Sequence, residues 1–180
     1  MGTLGGDRGQ LGVVLASPPL TDGLRTMRRL EIVTQILGYT SFKIANLFPV
    51  ATHSVNDITK LGADGGVWLG ARDELSVLGS TSTALLMAYG VTEPTGSARS
   101  HRRGQIDWLS ERLQEEGHFF AWHVGTDPRH PSRWHQYLSD RRGRTDGGTF
   151  NERLSRSLVE LSVSELLGRS RAPVAKDLDR

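Results

Sequence analysis

The loop Gly125-Thr126-Asp127-Pro128-Arg129-His130-Pro131-Ser132-Arg133 places a histidine between two prolines. Prolines stiffen a chain, so the imidazole is held in one place. There it can donate to an oxyanion or accept a proton near neutral pH. The competing reading is a hydrogen bond that braces the loop. Ser132, two residues on, supplies a hydroxyl beside it.

Other segments carry candidate ligand-binding types. Arg25-Thr26-Met27-Arg28-Arg29 opens a helix. Arg25 and Arg29 lie on one face of it, near an end where the helix dipole disfavours cations. A bound anion would relieve both costs, and a solvated basic face partly paired with Glu31 is the alternative. Asn46-Leu47-Phe48-Pro49 sets an amide at an apolar strand end, where it must find partners or read a ligand's edge. Phe48 can cap the core or stack on a planar ligand. In Tyr89-Gly90 the glycine admits close approach of backbone to ligand, or makes an ordinary turn. Ser17, Asp22 and Asp127 are the remaining candidates to position or activate a water. Arg99-Ser100-His101-Arg102-Arg103 again crowds cations at a helix start, an anion-favouring place. His118, His123, His130 and His135 lack a carboxylate at a metal-ligand interval, so no metal is expected, and no cofactor.

The elements that must position these residues read as an alternation. The expected strands are Leu11–Ala16, Ser41–Leu47, Thr83–Tyr89 and His118–Val124. Leu24–Leu37 has the spacing of a helix, with Leu24, Met27, Leu30, Val33 and Leu37 as its apolar stripe. Asp22 is its candidate N-cap and Gly38 its stop. One or two short helices should fill residues 50–80. Ser100–Glu116 is a second long helix, with Ile106, Leu109 and Leu113 on its buried side. Asn151–Leu167 has helical spacing too. Near-continuous apolar strands between amphipathic helices predict an α/β three-layer sandwich, a four-stranded mainly parallel sheet covered on both faces. Ligands of such folds sit at the carboxyl ends of strands. That rule selects the loops Ser17–Asp22, Phe48–His53, Gly90–Gly96 and Gly125–Arg133.

Composition bounds the rest. The chain of 180 residues suits one domain over residues 11–167, between a flexible start (1–10) and a flexible tail (168–180). It has no cysteine, which removes disulfides, zinc–thiolate sites and cysteine nucleophiles. It has no apolar run of bilayer-spanning length and no signal-peptide core, so a cytoplasmic, membrane-free protein is expected. The net charge of +2 is uneven. Residues 1–96 hold 7 basic against 8 acidic side chains, and residues 97–180 hold 15 against 12, with 14 of the 15 being arginine. Arginine forks match phosphate and carboxylate oxygens, although codon bias also explains the excess.

Taken in order, several short motifs between residues 11 and 138 resemble domain-of-unknown-function family 1643, of small bacterial and phage proteins. They are an apolar strand ending near a proline, Thr26-Met27-Arg28-Arg29, the Gly38-Tyr39 turn, Asn46-Leu47-Phe48, Tyr89-Gly90 and Pro128-Arg129-His130-Pro131. The family's architecture in turn resembles the uracil-DNA glycosylase superfamily, with its four-stranded parallel sheet. His130-Pro131-Ser132 looks like that superfamily's His-Pro-Ser loop, which steadies a leaving base. The chain departs from the pattern at the first strand end. There the family's Asn-Pro-Ser is Ser17-Pro18-Pro19, and a hydroxyl is a poor base and a poor amide reader.

The resemblance implies an enzyme acting on a nucleoside, nucleotide or nucleobase by N-glycosidic cleavage or exchange. Asn46 would read the base and Phe48 stack on it. Arg28, Arg29 and Arg25 would hold a phosphate, His130 would stabilise the departing base, and Ser17 would place a water. The alternatives are a non-catalytic nucleotide or nucleic-acid binder, and a partner protein docking through arginines of residues 141–171.

Overall fold

The computed structural model describes residues 8–139 and 147–165. Five strands form one sheet in the order β2-β1-β3-β4-β5. β1 (Gln10–Leu15), β2 (Ser41–Asn46), β3 (Ala84–Met87) and β4 (Phe120–Val124) are parallel, and β5 (Leu158–Ser162) is antiparallel. The register sets Leu15 opposite Asn46 and Val14 opposite Met87, so the carboxyl ends of the strands share one edge. The chain leaves β1 towards β2 on one side and returns to β3 on the other. That reversal between β1 and β3 is the topological switch point where open α/β sheets hold ligands.

Alternation along the strands builds two cores. Leu11, Val13, Leu15, Leu86 and Ala88 pack on one face with Leu30, Val33 and Leu37 of α1 (Leu24–Leu37), Trp134 of α6 (Pro131–Tyr137) and Leu154 of α7 (Phe150–Ser157). Val14, Ala45, Leu85, Met87 and Ala121 pack on the other face. There they meet α2 (Val55–Leu61), α3 (Gly65–Leu69), α4 (Arg72–Thr81) and α5 (Gly96–Glu115). Gly12 interrupts the apolar run of β1 because a Cβ there would collide with Ser82 Oγ and, at 2.8 Å, with Leu85 Cδ2. The three-layer α/β reading therefore holds, with five strands instead of four.

Several local expectations are corrected. The span of α1 and its stop at Gly38 (φ +77°) agree with the sequence, but Gly23, not Asp22, occupies the N-cap. Asp22 instead accepts the Leu24 N–H at 3.2 Å from one residue further out. Leu24 and Met27 leave the apolar stripe and stay 54% and 36% exposed, and Met27 borders the cleft at the carboxyl ends of the strands. The second long helix starts four residues early, at Gly96, so the Arg99–Arg103 run lies within it.

Another correction concerns residues 151–167, where the helical reading fails at Leu158–Ser162. Leu158–Ser162 takes up the hydrogen bonds of the free β4 edge as an antiparallel strand. An unpaired strand edge has a strong demand for partners, and it overrides local helix spacing here. The proline loop is half loop and half helix: Pro131 begins α6 as its first helical residue. The N-terminal boundary also moves, since β1 begins at Gln10 and the Gly9 carbonyl accepts the Thr40 N–H at 3.0 Å. Residues 1–7 and 166–180, and much of the arginine-bearing stretch 141–171, lie outside the described residues. Among the described residues no helix is long and apolar enough to cross a membrane.

Candidate functional site

A cleft of about 750 Å³ opens at the carboxyl edge of the sheet. Ser17, Asp22, Thr26, Asn46, Tyr89, Gly90, His130 and Ser132 all line it. These residues follow four different strands, and the common register of the parallel strands is what gathers them.

His130 is held by its own helix. It is the N-cap of α6, and its Nδ1 accepts the Ser132 backbone N–H at 3.2 Å. The Ser132 hydroxyl lies 2.9 Å from the same nitrogen. An accepting Nδ1 leaves the proton of a neutral ring on Nε2. Burial, reinforced by the cations of Arg133 and Arg29, pushes the imidazole pKa down to about 4. At neutral pH the cleft therefore contains a fixed, uncharged N–H donor.

This geometry has a consequence for stability. In the unfolded chain the imidazole takes up its proton near its ordinary value of 6.5, whereas the folded protein resists it until about 4. The unfolded state then binds more protons across that window. The contribution is fully present above pH 6.5 and lost as pH falls towards 4, about 3 kcal/mol in all. Urea unfolding between pH 7 and 4 measures it. The His130→Asn variant, which keeps a capping side chain, should show a shallower fall over that range.

Asn46 reaches the cleft from the end of β2, and its Oδ1 is buried without a hydrogen-bond partner among the described residues. An unmet buried acceptor costs about 1–3 kcal/mol, which a ligand donor would recover. The Ser17 hydroxyl is 2.6 Å from that of Thr52, another lining residue. A hydroxyl partner cannot take a proton from serine, so Ser17 orients a neighbour and is not an activated nucleophile. Asp22 is the one carboxylate among the described lining residues. Tyr89 is buried, and Gly90 (φ +84°) ties the loops together. The Gly90 N–H donates to the Pro128 carbonyl at 2.6 Å, and its carbonyl accepts Arg102 at 2.9 Å.

Other expected residues are not in the cleft wall. Phe48 is fully buried against Trp68, with ring centroids 4.8 Å apart, so it caps the core and cannot stack on a ligand. Arg29 donates to the Pro131 carbonyl and lies over the Phe150 ring at 5.9 Å, pinning α6 and α7 to α1. Arg25 and Arg28 are exposed on α1, outside the lining. Asp127 is also outside, paired with Arg129 at 2.8 Å.

The cations that do reach the cleft are Arg102, Arg129 and Arg133, with His53 beside Thr52 on the opposite loop. Arg129 precedes His130 in the stiff loop, and Arg133 follows it in the first turn of α6. Arg102 is one helical turn before Ile106, on the line through Leu109 and Leu113, so its burial had a readable spacing. Among the described residues no group of three or more His, Cys, Asp or Glu side chains is placed to hold a metal ion.

Comparison with protein-family models, curated proteins and solved structures gives no significant match. The functional reading therefore stands on the cleft.

Proposed function

We propose that the protein acts on a nucleoside, nucleotide or nucleobase, cleaving or exchanging an N-glycosidic bond. The observation that carries the reading is one cleft, at the switch point of the sheet, that combines a neutral imidazole donor with a partnerless amide oxygen and a carboxylate. Such a bond breaks as charge leaves with the base. His130 Nε2–H stabilises that negative charge, and it does so best as a fixed neutral donor that needs no reorganisation. Asn46 reads the polar edge of the base through its partnerless amide oxygen. Asp22 draws a proton from the incoming water or hydroxyl, and Ser17 with Thr52 helps to place it. The motif resemblance to family 1643, and through it to the uracil-DNA glycosylases, favours the same chemistry.

A second reading is favoured by the Ser17–Thr52 pair. A hydroxyl locked to a hydroxyl suits a non-catalytic nucleotide or nucleic-acid binder. A panel of nucleosides, nucleotides and short oligonucleotides separates the two when base release and thermal stabilisation are measured together. Release of free base from one member is the expected result. Stabilisation without release would replace the enzyme by a binder, and neither response would reject both readings.

A further inference from the structure

Arg102 is the most unusual charge in the chain. Its side chain is only 8% exposed, yet it borders the cleft. Burial pushes its pKa down, although guanidinium is too strong a base to lose its charge. Its neutralisation is shared. Glu93 spends its two short contacts, 2.9 and 2.7 Å, on Arg103, whose hydrogen bonds hold this carboxylate below its ordinary range against the opposing effect of burial. Arg102 meets the same carboxylate at 3.4 Å and Arg99 at 3.9 Å. Three guanidiniums thus depend on one acid.

Two further guanidiniums line the cleft. Arg129 bonds Asp127 at 2.8 Å and lies over Tyr137 at 4.1 Å, while its Nε is buried without a hydrogen-bond partner among the described residues. Arg133 is exposed, with the neutral Gln136 as its partner at 3.2 Å. Tyr89 under Arg102, at 5.4 Å, and Tyr137 under Arg129 fix the two guanidinium planes. Gly90 joins the two segments through its bonds to Pro128 and Arg102. Asp22 is the lining acid that opposes them. Arg102 is held away from water on a carboxylate it shares, and the buried Nε of Arg129 has no hydrogen-bond partner among the described residues; such incompletely met charge is costly, and a doubly charged ligand offsets it.

We propose that the cleft contains a phosphate-monoester site built by Arg102, Arg129 and Arg133. A monoester brings nearly two negative charges and three acceptor oxygens, which suits three forked donors. A carboxylate or a phosphodiester brings one charge. The phosphate grip therefore lies on α5, the loop after β4 and the first turn of α6, not on α1 with Arg25, Arg28 and Arg29. With the nucleoside reading above, on which this last step rests, the ligand becomes a nucleoside monophosphate.

Titration calorimetry at fixed salt tests the site with nucleoside 5′-monophosphates, the matched nucleosides, inorganic phosphate and an oligonucleotide lacking terminal phosphate. A monophosphate should bind ~10–100-fold more tightly than its nucleoside, the effect of one or two charge-assisted hydrogen bonds. That gap should shrink at least ~5-fold in Arg102→Lys, which loses the fork, and in Arg133→Gln. Arg133 is exposed, so Arg133→Gln carries the test if Arg102→Lys fails to fold. Inorganic phosphate bound in an arginine-dependent way, with no response to any nucleoside or nucleotide, would uphold the site and reject the nucleoside reading. An unchanged gap in Arg133→Gln, or no binding of phosphate or monophosphates, would overturn the site. Tighter binding of the unphosphorylated oligonucleotide would overturn the choice of a monoester.

Discussion

Replacing His130 by alanine should lower turnover by ~10²–10³-fold, the usual effect of deleting one donor to a developing anion. The same change removes the Nδ1 cap of α6, which should cost ~0.5–2 kcal/mol of stability. Alanine therefore mixes two losses, and asparagine separates them. Asparagine is a good N-cap, so His130→Asn should keep the Ser132 amide satisfied and restore most of the melting temperature. Its shorter side chain cannot place a donor where imidazole Nε2 lies, so turnover should stay low. Unfolding free energy, ligand affinity and rate are the three measurements. A His130→Asn protein that recovers both stability and full rate would reduce His130 to a loop brace and reject its proposed role.

The parts of this site that were legible in the sequence are those fixed by local chemistry. The apolar spacing of Leu30, Val33 and Leu37 and the stop at Gly38 place α1. The apolar runs at residues 11–15 and 84–87 place two central strands. Strand ends then locate Ser17, Asn46, Gly90 and His130 at one edge, since parallel strands in register must finish together. What was not legible depends on partners distant in the chain. Leu158–Ser162 is a strand because β4 offers it an edge. Arg29 turned out to hold the Pro131 carbonyl, 102 residues away, since spacing along a helix does not say which neighbour its face meets. Phe48 is the reverse case: it follows a strand end but rotates inward onto Trp68, a residue of a short helix with little sequence signature. Arg102 lay in plain view on the apolar line of α5, but a charge on a core stripe is read as surface until a carboxylate and a carbonyl are found for it.

Trp134 shows how the site depends on packing behind it. It is fully buried, and it packs among Leu30, Val33, Leu138 and Leu154 on the α1 face of the sheet. Its indole N–H also donates to the Arg129 carbonyl at 2.8 Å, so one side chain joins that core to the loop before His130. Trp134→Ala should cost ~3–5 kcal/mol, the range for emptying a large aromatic site. In a chain of this size that lowers the melting temperature by roughly 6–20 °C. Trp134→Phe keeps most of the apolar area and removes only the donor, leaving the Arg129 carbonyl short of one bond at a cost of ~1–3 kcal/mol. The phenylalanine protein should therefore stay folded at 25 °C while losing affinity for anions, because the segment that aims Arg129 and His130 is no longer tied down. If Trp134→Phe weakens folding without touching anion binding, the indole bond serves the core alone. If Trp134→Ala costs under ~1 kcal/mol, α6 is not anchored through this residue and the rigidity assigned to His130 must come from the prolines.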